Sequence, residues 1–158
     1  MRLKIFTSLL ALVLLLNCAS TATPAATPDL PNIDEFWDYS DPLITELRFI
    51  EILADIDLEQ TPEYYLELQT QIARTLGLQH KFTEALALLD QVEAELSPDY
   101  PTAKIRYLLE RGRVLNSSGK GRESVPFFLE AWNLGRSIGA DFYAVDAAHM
   151  LGTVNNPT

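Results

Sequence analysis

This chain of 158 residues has one cysteine and two histidines. A single cysteine excludes a disulfide framework, and the three residues together supply too few soft ligands for a structural zinc site. Basic residues are outnumbered, 12 Lys and Arg against 22 Asp and Glu, which leaves a formal charge of -10. That balance excludes ordinary nucleic-acid binding, which needs a basic face. No familiar catalytic motif occurs, nothing calls for a cofactor or a metal, and no stretch alternates β-branched residues as a strand would. The chain reads as no enzyme. Apolar residues still make up 47% and charged ones only 22%, so a packed core is within reach and wholesale disorder is excluded. The length allows one domain, or two small ones.

The first residues read MRLKIFTSLLALVLLLNC. Arg2 and Lys4 precede an apolar run from Ile5 to Leu16, too short to span a bilayer as a stable helix and of the size of an export signal's core. ASTATPAATPDLPN follows, uncharged up to Asp29 and with nothing to bury. This is the composition of an extended tether. The segment resembles bacterial lipoprotein signals, with Leu15 three places before Cys18, the residue such signals lipidate. The resemblance implies cleavage before Cys18, a lipid on its thiol, and a place on the periplasmic side of the envelope, with Ala19 favouring the outer membrane. Asn17 departs from the small residue usual there. The alternative is ordinary cleavage near Ala19, Ser20 or Ala22, which also exports the chain. The expected organisation is a signal peptide at 1–17, a tether at 18–34, a helical domain at 35–154 and a tail at 155–158.

From Asp34 onward the apolar residues recur at three and four. Ser40-Asp41-Pro42 is a start signal, and Leu43, Leu47, Ile50 and Leu53-Ala54 form the expected stripe of a helix over 41–56. Thr61-Pro62-Glu63 opens a second, with Tyr65, Leu68, Ile72 and Leu76 on one face and Gly77 as its stop. The third spans about 82–96, with Ala85, Leu88, Leu89, Val92 and Leu96. Ser97-Pro98-Asp99-Tyr100-Pro101 breaks the chain before a fourth over 102–117, closed by Ser117-Ser118-Gly119. A fifth over 121–137 carries Val125, Phe128, Ala131, Trp132 and Leu134, with Pro126 expected in its first turn, and Gly139 ends it. A sixth begins at Asp141. Six helices in short-looped pairs make an all-α domain.

The pairs repeat. An offset of 39 lays Ala73 over Gly112, Leu76 over Leu115, Ala85-Leu86 over Ser124-Val125 and Val92 over Ala131; an offset of 40 lays Gly112 over Gly152. Small residues recur where two helices must approach closely, the mark of pairs that stack on one another. Here the chain resembles the tetratricopeptide-repeat superfamily. The clearest copy is QIARTLGLQHKFTEALALLDQVEAELSP, with Ala73, Phe82, Ala85, Val92 and Pro98 at the matching places. The second is LLERGRVLNSSGKGRESVPFFLEAWNLG, with Gly112, Gly119, Ser124, Phe128 and Ala131. DFYAVDAAHMLGTV looks like a third first helix. The resemblance implies a short right-handed solenoid of helix hairpins over about 60–154. A spacing of 39–40 exceeds the family's usual 34 and also fits HEAT-like repeats, the alternative architecture.

In that superfamily the first helix of each pair lines a concave groove that holds peptides or helices. The matching places here are Glu67, Thr70 and Arg74, then Arg106, Leu109, Arg113 and Asn116, then Asp146 and His149. Residues 104–136 hold seven Lys and Arg against three Glu, whereas 29–99 hold 17 acids against three bases. Arginine pairs bidentately with carboxylates, so an acidic peptide or a C-terminal carboxylate is the natural guest. The plainer reading is a solvated face with intrahelical pairs such as Arg106–Glu110, and self-association of the two unlike halves is a third. Asp146 and His149, three apart, lack the nucleophile a catalytic set needs. Phe36-Trp37 and Tyr39 are read as a cap folded over the first helices, with an exposed hook for a partner as the alternative. The chain is therefore expected to be an exported interaction module that docks a protein or peptide, without nucleic acid, and touches membrane only through a lipid on Cys18. The competing expectation is a non-binding structural or capping piece of a longer repeat protein.

Overall fold

The computed structural model describes residues 30–155, Asn155 by its backbone alone. The signal segment 1–17, Cys18, the expected tether as far as residue 29 and residues 156–158 of the expected tail lie outside the described residues. The described chain is all-helical, with no strand. A 3₁₀ turn at Ile33–Phe36 precedes six helices: α1 (Pro42–Ala54), α2 (Pro62–Leu78), α3 (Phe82–Glu95), α4 (Pro101–Ser117), α5 (Gly121–Ile138) and α6 (Asp141–Asn155). None of them is long and apolar enough to cross a membrane.

Local chemistry sets the starts. Proline stands in the first turn of α1, α2 and α4, where its missing N–H has no helical acceptor to lose. The Asp41 carboxylate accepts the Ile44 N–H at 3.0 Å and caps α1. The residue before α4, Tyr100, offers no side-chain cap. Instead Glu63, on the first turn of α2, reaches across and accepts the N–H groups of Thr102 and Ala103 at 2.7 and 3.3 Å. A carboxylate there also suits the positive end of the helix dipole. Gly139 ends α5 in the left-handed region, at φ 72°, which glycine reaches without steric cost.

Four details depart from the sequence reading. Gly77 lies inside α2, which runs on to Leu78. Because α5 begins at Gly121, Pro126 falls in its second turn; it is on the exposed side, so water can serve the carbonyl it leaves free. The folded unit starts at Asn32, with Ile33 buried, so the last residues assigned to the tether are structural. Most instructive is α1, whose expected core stripe of Leu43, Leu47 and Ile50 faces solvent, while Thr45 and Phe49 are buried.

The elements pack in two clusters. One gathers Leu66, Ala73, Ala85, Leu89 and Val92 with Ile105, Leu108, Phe128 and Ala131 across α2 to α5. The other sets Ile33 and Phe49 against Leu68 and Ile72, with Phe36 and Trp37 folded over them as the expected cap. Each helix touches the next, and α4 also touches α2 on one side and α6 on the other. The side of α2, α4 and α6 that carries Glu67, Arg106 and Asp146 forms the cleft described below.

Candidate partner-binding groove

Charges bind these three helices together. Glu67 on α2, Arg106 on α4 and Asp146 on α6 occupy like places in their helices, as do Arg74 and Arg113. The Arg106 guanidinium donates through Nε to Glu67 Oε2 at 2.9 Å. Its other edge grips Asp34, from the 3₁₀ turn, through Nη1 to Oδ1 at 3.1 Å and Nη2 to Oδ2 at 3.0 Å. The Tyr143 ring of α6 lies 5.2 Å from the same guanidinium. Arg113 donates to Glu110 Oε1 at 2.5 Å and, across to α6, to Asp146. Arg74 reaches the same Glu110 oxygen at 3.4 Å and lies over Trp37 and Tyr39, 5.0 and 5.3 Å from their centroids. Those two rings stack at 4.9 Å.

These side chains surround an open cleft of about 770 Å³ whose lining includes Asp34, Tyr39, Arg74, Arg106, Leu109, Glu110, Arg113, Phe142, Asp146 and His149. Six of the nine groove places named from the sequence thus meet in one place: Arg74, Arg106, Leu109, Arg113, Asp146 and His149. Thr70 is fully buried, and Glu67 joins the set only through its bond to Arg106. Asn116 does not line the cleft; its Oδ1 sits at the α4–α5 turn, 3.1 Å from where a Cβ on Gly121 would stand. The expected Arg106–Glu110 pair does not form either, because Arg106 turns to Glu67 and Asp34 while Glu110 takes Arg74 and Arg113. Asp146 is engaged by Arg113 rather than by His149.

Burial sets the electrostatics. The Glu67 carboxyl is pushed up to about 7 by desolvation, which the nearby Arg106 charge only partly offsets. Arg106 and Arg113 are both held above the ordinary arginine value. Burial works to lower each of them; Asp34 overcomes it at Arg106, and Glu110 with Asp146 at Arg113. Both therefore carry full charge at any working pH. Glu110 is 2% exposed, and its second oxygen has no hydrogen-bond donor among the described residues.

No protein-family model matches this chain, and neither does any curated protein or solved structure. The site must be read from its own geometry. That geometry is a row of carboxylates and guanidiniums across three helices, walled by exposed Tyr39, Phe142 and Val145. Sequence reasoning missed Asp34, Glu110 and Phe142 as groove residues, and Tyr39, expected with Phe36-Trp37 as a cap, instead stands exposed at the cleft. The opposite charges of Glu67 and Arg106 at a spacing of 39 were a usable signal; Asp34 gave none, since nothing local ties it to a residue 72 places on.

Proposed function

We propose that this chain is an exported protein-interaction module of the tetratricopeptide type, whose helix pairs stack as a short right-handed solenoid and whose groove holds a carboxylate-bearing segment of a protein partner. Support for the stacking is the shared register of α2, α4 and α6 and their contact in succession. The docking reading rests on one observation, the grip of Arg106 on Asp34. That carboxylate comes from outside the helices and its side chain remains 50% exposed, yet it occupies the place on Arg106 that a guest carboxylate needs. Burial disfavours the charged form of Glu67, so it is a weaker counter-charge than an exposed carboxylate would be. A guest that displaces Asp34 therefore meets a charge still in want of a partner. The module is non-catalytic: it orders the partner segment and performs no reaction.

The envelope address rests on the N-terminal residues alone. In this reading Cys18 carries the lipid and the tether lets the helical part reach its partner. Palmitate labelling of wild type, lost in Cys18→Ala, is the expected result; no label in either chain refutes the anchor.

The internal pairing of every groove arginine supports a second reading, in which the ion pairs only clamp α2, α4 and α6 as a structural unit. Capture from envelope extract separates the two. Wild type, Asp34→Asn and Arg106→Gln, each checked for helix content, serve as baits. Docking requires a partner that is retained by wild type, enriched by Asp34→Asn and lost with Arg106→Gln. Equal recovery by all three leaves the groove with no docking role.

A further inference from the structure

The repeat register leaves a face of α6 exposed where its counterpart on α4 is covered. Pro101 and Asp141 open α4 and α6, so residues 40 apart hold like places, as Arg106 and Asp146 in the groove do. On α4, Ile105, Leu108 and Gly112 form the face that α5 covers, and all three are buried. The Phe128 ring of α5 closes on Gly112, and Gly135 of α5 backs onto Ile105. The like places on α6 are Val145, Ala148 and Gly152. All three are exposed, Val145 at 70%, and among the described residues no heavy atom beyond the helix's own backbone lies within 4 Å of where a Cβ on Gly152 would stand. Phe142, one turn before Val145, is 73% exposed; both also wall the mouth of the cleft, so a second copy and a guest segment compete for them.

We propose that this face of α6 seats α6 of a second copy of the chain, the two helices lying antiparallel about a twofold axis. The first argument is shape. Centring the overlap between Asp146 and Ala148 sets Phe142 of each copy opposite Gly152 of the other. A bulky ring then meets an open glycine twice, as Phe128 meets Gly112 inside the chain, and small Ala148 lets the helices close up. The second argument is charge. Residues 100–155 hold seven Lys and Arg against five Asp and Glu, while 29–99 hold 17 acids against three bases. Pairing through α6 joins the nearly balanced halves and keeps the acidic halves away from the seam. The other exposed apolar stripe, Leu43, Leu47 and Ile50 of α1, belongs to the acidic half. Its contact with α6 would be head-to-tail and would leave a free α6 at the end of every assembly, whereas the twofold arrangement closes on itself. A seam of one helix pair is small, so the dimer is weak, with a Kd on the order of 10 µM.

The test is site-specific crosslinking of the full chain in a nonionic detergent, in a Cys18→Ala background. Ala148→Cys puts a thiol beside the axis, and mild oxidation should convert most of the chain to a disulfide dimer. Glu84→Cys, exposed on α3, should give little dimer, and adding Val145→Asp to Ala148→Cys should cut the yield at least tenfold. Three results overturn the proposal: no dimer through Ala148→Cys, equal dimer through Glu84→Cys, or a yield unmoved by Val145→Asp. A mixture of Leu47→Cys and Ala148→Cys chains that crosslinks to each other better than Ala148→Cys does to itself also overturns it, in favour of the head-to-tail contact.

Discussion

Gly112 of α4 lies directly beneath the ring of Phe128 of α5, so that a Cβ on it would stand 2.7 Å from Cζ and 2.8 Å from Cδ1. Two helices can approach this closely only where one has no side chain, which is why a residue that weakens an isolated helix sits inside α4, the helix with the most buried residues.

Gly112→Ala should therefore destabilise the fold by about 1–3 kcal/mol, although alanine is the better helix former. Urea denaturation measures this. Phe128→Leu in the same chain should recover part of the loss, since it withdraws the ring that the new methyl meets.

Much of the fold was legible because spacing carries it. The small residues Ala73 and Gly112 marked buried places of close approach, whereas Gly152, at the like place on α6, is exposed. Asp41-Pro42 and Gly139 marked ends that rest on local chemistry. The α1 stripe misled because hydrophobic periodicity reports that a helix has an apolar face, and says nothing of whether a neighbour covers it. Trp37 and Ile33, from the chain before the helix, cover the Phe49 side instead. The groove was legible as a set of positions but not as a set of bonds. Arg106 chose between Glu110, four residues away, and Asp34 and Glu67 from other elements, a choice made by tertiary packing.

The bare α1 stripe gives a paired test of that correction. Leu47→Lys should shift stability by no more than about 0.5 kcal/mol, as exposed substitutions do. Phe49→Ala, at a position with no exposure, should cost about 3–5 kcal/mol. Thermal unfolding of the two variants checks the contrast.

Glu110 holds two arginines on one buried oxygen. Glu110→Ala should cost about 3 kcal/mol, because Arg74 and Arg113 keep their charges and lose their shared partner. Glu110→Leu combined with Arg113→Met should be less damaging than Glu110→Ala, since it removes a buried charge together with its main partner. Chemical denaturation of the variants gives the comparison.

Glu67 makes stability depend on pH in an unusual direction for a carboxylate. Its folded value near 7 lies above the ordinary 4.5, so between those values the folded chain holds more protons than the unfolded one. This contribution is fully present below about pH 4.5 and is lost as pH rises towards 7. Wild type should gain stability on acidification from pH 7.5 to 5, by up to about 1 kcal/mol per unit. Glu67→Gln should flatten that stretch of the curve in pH-resolved denaturation.

Docking requires the groove to exchange Asp34 for a guest carboxylate. Isothermal titration of a glutamate-rich peptide with a free C-terminus into wild type, Asp34→Asn and Arg106→Gln measures this most directly. Saturable binding to wild type, about tenfold tighter binding to Asp34→Asn and none to Arg106→Gln is the predicted pattern. Binding that is absent from all three, or equal in all three, contradicts it.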